Sequence, residues 1–186
     1  LFGALSSFFL MYHSGKTSSN MSVMLEKSYP QALAASKIRL SVMKNWADTL
    51  LLLQVSDETV RQSIGNEIRK NSQVITDSFE HLERAYVSNE TREYLTEAQK
   101  KRATYTTNRR QFLAFIQRDE AAKAHAYLIE TVKPDFDSYR AVIGKVVTQN
   151  LSEMYQKASA TSSCVATLYQ LSLLTLAFSS AFCLLF

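Results

Sequence analysis

An apolar residue returns every three or four positions through four successive stretches of this chain, and that rhythm most limits how it can fold. Successive helical residues lie about 100° apart, so such spacing gathers apolar groups on one stripe of a helix. Leu33, Leu40, Met43, Ala47 and Leu50 make the first stripe, and Ile64, Ile68, Ile75, Phe79, Leu82 and Tyr86 the second. Tyr94, Ala98, Tyr105, Phe112 and Ile116 make the third; Ala121, Leu128, Val132, Phe136, Tyr139, Ile143 and Val146 make the fourth. Four Gly and two Pro in 186 residues are too few for a turn-rich β fold. Ser56 is expected to cap the second helix, Asn89 or Ser88 the third, and Asp119 of "QRDEAA" the fourth. Short connections between amphipathic helices predict an all-α, up-down-up-down antiparallel four-helix bundle.

Both ends extend this expectation. The uncharged stretch "CVATLYQLSLLTLAFSSAFCLLF", residues 164–186, is roughly 23 residues long, enough for a helix to cross a hydrocarbon core of about 30 Å. It is expected to be a transmembrane helix. Residues 1–14, with the apolar run "LFGALSSFFLMY", are expected to be the end of a truncated first span. The bundle then occupies residues 15–163, and its first and last helices continue into the transmembrane helices. Cys164 and Cys183 both fall in the second span, which leaves no thiol between the spans for a disulfide, a Cys zinc site or a nucleophile. The net charge of +4 is scattered, without the basic patch that nucleic-acid binding needs. His13, His81 and His125 lie on different helices, and neither a phosphate-cradling loop nor a nucleophile motif occurs. Neither enzymatic activity nor a cofactor or metal is expected.

Several cations stand where the pattern asks for something else. Besides the Leu33 to Leu50 stripe, taken as the bundle-facing one, the first helix has a second apolar flank of Ile38, Val42, Trp46 and Leu53. Two apolar faces suggest a partner, most simply the same helix of a second subunit in a two-fold homodimer. Arg39 lies about 100° from Leu40, on the seam between the faces. There it can grip a carboxylate bidentately at a subunit interface, snorkel beside Trp46, or pair with an acid. Lys44 points about 140° from Arg39, so the two converge only across a dimer. On the third helix Arg109 lies about 30° from the centre of its stripe and must find an anion inside the bundle. That anion is either a ligand in a pocket shared with Tyr127 and Thr131, or the carboxylate of Glu130 or Asp135. Arg102 and Arg110 are expected to meet water. Pro134 has no N–H for the carbonyl of Glu130, so the fourth helix is expected to bend there and leave an acceptor free for a ligand's ammonium or hydroxyl.

The layout of a bundle between two spans, with the Arg of "KIRLSVMKNW", the turn "QRDEAA" and the Pro of "AYLIETVKPDFDSY", resembles one family. It is the periplasmic sensory module of bacterial methyl-accepting chemotaxis receptors, the group of the aspartate and serine receptors. The resemblance covers nearly the whole chain. It implies an inner-membrane homodimer embedded in lipid, with its sensory domain in the periplasm and a cytoplasmic HAMP and signalling region beyond Phe186. It implies a small anionic ligand: a di- or tricarboxylate, an amino acid or an aromatic acid. By the same resemblance Arg39 holds the ligand's carboxylate and the partner subunit supplies Lys44. Tyr127, Glu130 and Thr131, with nearby carbonyls, receive its amino group. Asp48 stands where the family member has a further Arg, which disfavours an aspartate-like side chain, and Glu130 where it has a neutral amide, a change that favours a nearby cation and repels a dicarboxylate. The alternatives are the input domain of a membrane histidine kinase or cyclase, and a structural membrane-anchored bundle without a small ligand.

Overall fold

A computed structural model describes the backbone of residues 2–85 and 87–185, and the side chains of residues 11–85, 87–170 and 172–174. Its elements are α1 (Phe2–Val23), a π turn (Met24–Ser28), α2 (Tyr29–Leu51), α3 (Glu58–Arg84), α4 (Asn89–Gln117), α5 (Ala121–Tyr127), a second π turn (Leu128–Val132) and α6 (Lys133–Leu185). Among the described residues there is no strand. The chain divides into two units, residues 31–150 and residues 1–30 with 151–186.

Residues 31–150 contain the four-helix bundle, with α5, the second π turn and the start of α6 as its fourth helix. The second, third and fourth stripes are buried much as their period predicts: Ile68, Ile75, Phe79 and Leu82 from α3, Ala98, Tyr105 and Phe112 from α4, and Val132, Phe136, Tyr139, Ile143 and Val146 from the fourth helix. Tyr94 is half-buried and Ala121 exposed, and Tyr86 lies outside the described residues.

The first helix is turned the other way. Ile38 and Val42 are buried, together with Ala34, Ala35, Ser41, Asn45 and Thr49. Leu33, Leu40, Met43, Ala47 and Leu50, expected in the core, are exposed, Leu40 to 57 %. The inner face carries small polar groups whose donors are bonded internally: Thr49 Oγ1 donates to the Asn45 carbonyl at 2.6 Å and Asn45 Nδ2 to Ser72 Oγ at 3.1 Å. Small and hydrogen-bonded residues admit close helix approach at little desolvation cost, whereas counting apolar residues favours the bulkier outer stripe. Trp46, expected on the second apolar flank, stacks on Phe136 at 4.3 Å between centroids.

The ends of the helices also differ in detail from expectation. Asp57 rather than Ser56 caps α3, its Oδ1 accepting from the amides of Thr59 at 2.8 Å and Val60 at 3.2 Å. Ser88 caps α4, accepting from the Thr91 amide at 3.2 Å. Asp119 caps nothing: it sits at φ 58° just past the end of α4, and the residue at the start of α5 is Glu120, whose side chain makes no capping bond. The amides of Asp119 and Glu120 turn back to the carbonyls of Ile116 at 3.1 Å and Phe115 at 3.0 Å. This is the Schellman closure, in which the left-handed position usually falls to Gly.

The two prolines share one solution. Pro134 follows the π turn Leu128–Val132, where the Lys133 amide reaches the Leu128 carbonyl. In the other unit Pro30 follows the π turn Met24–Ser28, where the Tyr29 amide reaches the Met24 carbonyl. Bonding five residues back widens the helix where a proline ring would crowd the carbonyl four back. The expected bend thus takes the form of a π turn.

In the unit of residues 1–30 with 151–186, Lys157 Nζ donates to Ser28 Oγ at 3.0 Å, and His13 Nδ1 lies 3.9 Å from Cys164 Sγ. Among the described residues no helix is long and apolar enough to cross a membrane. Most side chains of both expected spans, 1–10, 171 and 175–186, lie outside the described residues.

Asp119→Gly should stabilise the bundle by about 0.5–1 kcal/mol, since a left-handed side chain costs roughly 1–2 kcal/mol and the extra freedom of Gly returns part of that. A higher urea midpoint at unchanged m-value is the expected result.

Candidate anion-binding site

Arg109 carries the least compensated charge in the bundle. It is only 7 % exposed, and its Nε and Nη1 have no hydrogen-bond partner. No carboxylate among the described residues pairs with it: Asp135 accepts from Asn108 Nδ2 at 2.6 Å, and Glu130 is exposed. The expected salt bridge is therefore not formed. The guanidinium lies 5.2 Å from the Tyr105 ring centroid. Such cation–π contact contributes about 0.5–2 kcal/mol, against a desolvation cost of several kcal/mol for a buried ion. The balance is unfavourable without an anion.

Arg102 stands two turns earlier on the same helix. Instead of meeting water, it donates from Nη2 to the Ser72 carbonyl at 3.0 Å and to Thr76 Oγ1 at 2.8 Å, both on α3. Burial, and then the neighbouring Arg109 charge, act to lower its pKa, against the opposing influence of Tyr139. Two guanidinium groups thus face the α3–α4 side of the bundle with no acid between them. Behind them lies an inner cavity of about 10 Å³, bordered by Asn45, Tyr105, Arg109 and Tyr139, which is near the volume of a single water. Asn45 Oδ1 and the Tyr139 hydroxyl have no partner there. The Tyr105 hydroxyl is close enough to Thr49 and Arg109 to feel both, without a hydrogen bond of normal geometry. Burial pushes both phenols up from their ordinary value, with the nearby arginines acting in the opposite direction.

In front of the same arginines a groove of about 1140 Å³ runs between α3 and α4. Among the described residues Arg61, Arg69, Arg102, Arg109 and Arg110 line it, with Glu58 as the one carboxylate. Tyr127, Glu130 and Thr131 do not line either space. Tyr127 instead donates its hydroxyl to Asn108 Oδ1 at 2.9 Å and packs edge-on against Phe115. The expected common pocket of Arg109 with Tyr127 and Thr131 is therefore replaced by one shared with Arg102, Tyr105 and Tyr139. The sequence missed Arg102 as a candidate because its acceptors belong to another helix.

Arg39 and Lys44 are elsewhere, both exposed on the outer side of α2 and without an ion-pair partner among the described residues. Arg39 borders the uncovered apolar stripe. Nearby Asp48 has its carboxyl held above the usual value by burial and by Glu67, with Lys44 opposing.

A family model described as a four helix bundle sensory module for signal transduction matches residues 1–163. The chain belongs to that family, the sensory modules of chemotaxis receptors. No curated protein matches it. The unpaired cations of this sensory module thus occur in a fold whose family role is to detect signals.

The buried phenols make the module sensitive to alkali. An unfolded chain releases phenolic protons near pH 10, while Tyr105 and Tyr139 hold theirs to higher pH in the fold. The stability they contribute is complete below about pH 10 and is lost as pH rises through the folded values. Urea midpoints should fall above about pH 10, and Tyr139→Phe should flatten that fall.

Proposed function

We propose that the chain is the sensing part of a transmembrane chemoreceptor of the bacterial inner membrane, with its bundle in the periplasm. It works as a homodimer, binds a small carboxylate and catalyses no reaction. The observation that carries this reading is the outer face of α2. Leu33, Leu40, Met43, Ala47 and Leu50 form an uncovered apolar row, and Arg39 and Lys44 border it without acid partners. A contiguous apolar row of this kind marks an association surface, and a two-fold axis covers it with itself.

Arg39 and Lys44 fall on opposite borders of the row, roughly 140° apart. Across the axis, Arg39 of one subunit and Lys44 of the other come to the same edge of the seam. Cations meeting at the rim of an apolar interface repel one another, and a dicarboxylate between them removes that repulsion while accepting charge-assisted hydrogen bonds. Glu130 and Thr131, on the π turn of the fourth helix, supply acceptors for a ligand's ammonium or hydroxyl. Asp48 weighs against an aspartate-like side chain, and Glu130 repels a carboxylate, so the ligand's carboxylates lie toward Arg39 and Lys44 and its ammonium or hydroxyl toward the π turn. Binding would favour one position of the fourth helix over another by the ligand's difference in affinity for the two, typically about 1–3 kcal/mol.

A thermal-shift panel of organic and amino acids on the full chain tests this reading. A ligand at 100 times its Kd should stabilise by roughly 2.7 kcal/mol. Arg39→Ala should remove the share of the shift that comes from this dimer-face site while preserving helicity, and Leu40→Asp should convert dimers to monomers in sedimentation. A panel without any stabiliser would leave a structural bundle as the better description.

A further inference from the structure

The groove between α3 and α4 lies within one protomer, so it does not depend on the dimer. We infer that it is a second anion site, which takes a small hydroxylated di- or tricarboxylate with one carboxylate on Arg109 and Arg102 and another on the arginines of the rim.

Three features support that assignment. The first is charge at two depths. Arg109 is more than nine-tenths buried with two unpartnered N–H-bearing nitrogens, while Arg69 and Arg110 are exposed at the mouth. A monocarboxylate satisfies only one level, and an anion with two or three carboxylates reaches both. The second is donor type. Every cation lining the groove is Arg, whose planar fork matches a carboxylate bidentately where Lys offers only a point charge. The third is the remaining wall: Gln73 and Thr106 donate to Asp77 and to the Ala103 carbonyl, and their side-chain oxygens can accept from a ligand hydroxyl. Toward the other end the wall becomes apolar, where Leu52 and Ile68 pack with Leu113. Among the described residues no aromatic side chain lines the groove, so an aromatic acid finds nothing there to stack on.

Arg102 is already tied to α3 through Ser72 and Thr76. It fixes the spacing of the two helices at the floor and adds its charge to the site. Arg109 contributes free donors. A guanidinium kept in a core to await an anion weakens the empty fold, because it is desolvated for no internal return. A guanidinium kept for structure does the opposite.

This contrast supplies the test. Full-length wild type, Arg109→Met, Arg109→Lys and Arg39→Ala are melted with malate, succinate, citrate, phosphate, acetate and benzoate, and affinities are measured by titration calorimetry. Citrate and malate should raise the melting temperature of wild type and, through the groove alone, still raise that of Arg39→Ala, malate more than succinate, with acetate and benzoate inactive. Arg109→Met should melt no lower than wild type without anion and should lose at least tenfold in affinity. Should Arg109→Met fail to fold, Arg109→Lys, which keeps the charge and loses the fork, should still lose at least tenfold. The assignment is overturned if neither polycarboxylate stabilises wild type, if phosphate alone does, or if the Arg109 variants bind as well as wild type. Loss of binding in Arg39→Ala with Arg109→Met unaffected would also overturn it, while leaving the dimer-face site standing.

Discussion

One uncompensated charge organises the upper bundle. Among the described residues no acid pairs with Arg109, and the ring of Tyr105 offsets only part of what burial costs. The groups around it are arranged accordingly. Asp135, one of the two acids named as a partner for it, accepts instead from Asn108, which in turn accepts from Tyr127. On the other side Arg102 joins α4 to α3 through a carbonyl and a hydroxyl, so it adds positive charge without neutralising any. The interior is thus wired to keep its charge open toward the α3–α4 groove.

Ser72 shows how this wiring coexists with a folded bundle. It accepts from Asn45 of α2, donates to the Ile68 carbonyl at 2.7 Å, and offers its own carbonyl to both Arg102 and Thr76. Three helices meet at this one residue. Because hydrogen-bonded polar groups cost less to bury than unpaired ones, such a network can replace apolar contact here, with Asn45 Oδ1 left facing the small inner cavity. It explains why α2 presents Ser41, Asn45 and Thr49 inward and leaves its leucines outside.

The fold was legible in the sequence wherever burial and hydropathy agree. Ile68, Phe79, Phe112, Phe136 and Val146 are apolar, correctly spaced and buried, and the all-helical bundle follows from them. The first helix was legible only as having two apolar faces. Which one turns inward depends on hydrogen bonds from Asn45 to another helix, and periodicity carries no information about those. Asp119 was misassigned for a related reason: Asp favours caps, but it also tolerates the left-handed conformation, and the choice is made by the closure of the preceding helix. Of the candidate site, the inward direction of Arg109 was legible from angle alone. Its company was not, because Arg102 is held by a carbonyl of α3, and every residue type has a carbonyl.

The two π turns extend the same lesson to the backbone. A proline announces itself in a sequence, but the remedy for its missing N–H does not. At Pro30 and Pro134 the helix widens in the segment just before the ring, with an amide reaching five residues back. A widened turn rotates every residue beyond it relative to a regular helix, since one extra residue is absorbed in nearly the same rise. An extrapolated 100° step therefore loses its phase at these places. Stripes measured on one side of Pro134 remain valid among themselves, as Phe136, Tyr139 and Ile143 demonstrate by their common burial. Angles drawn across it, such as the one that puts Ala121 on the stripe of Phe136, carry the error of the bulge, and Ala121 is exposed.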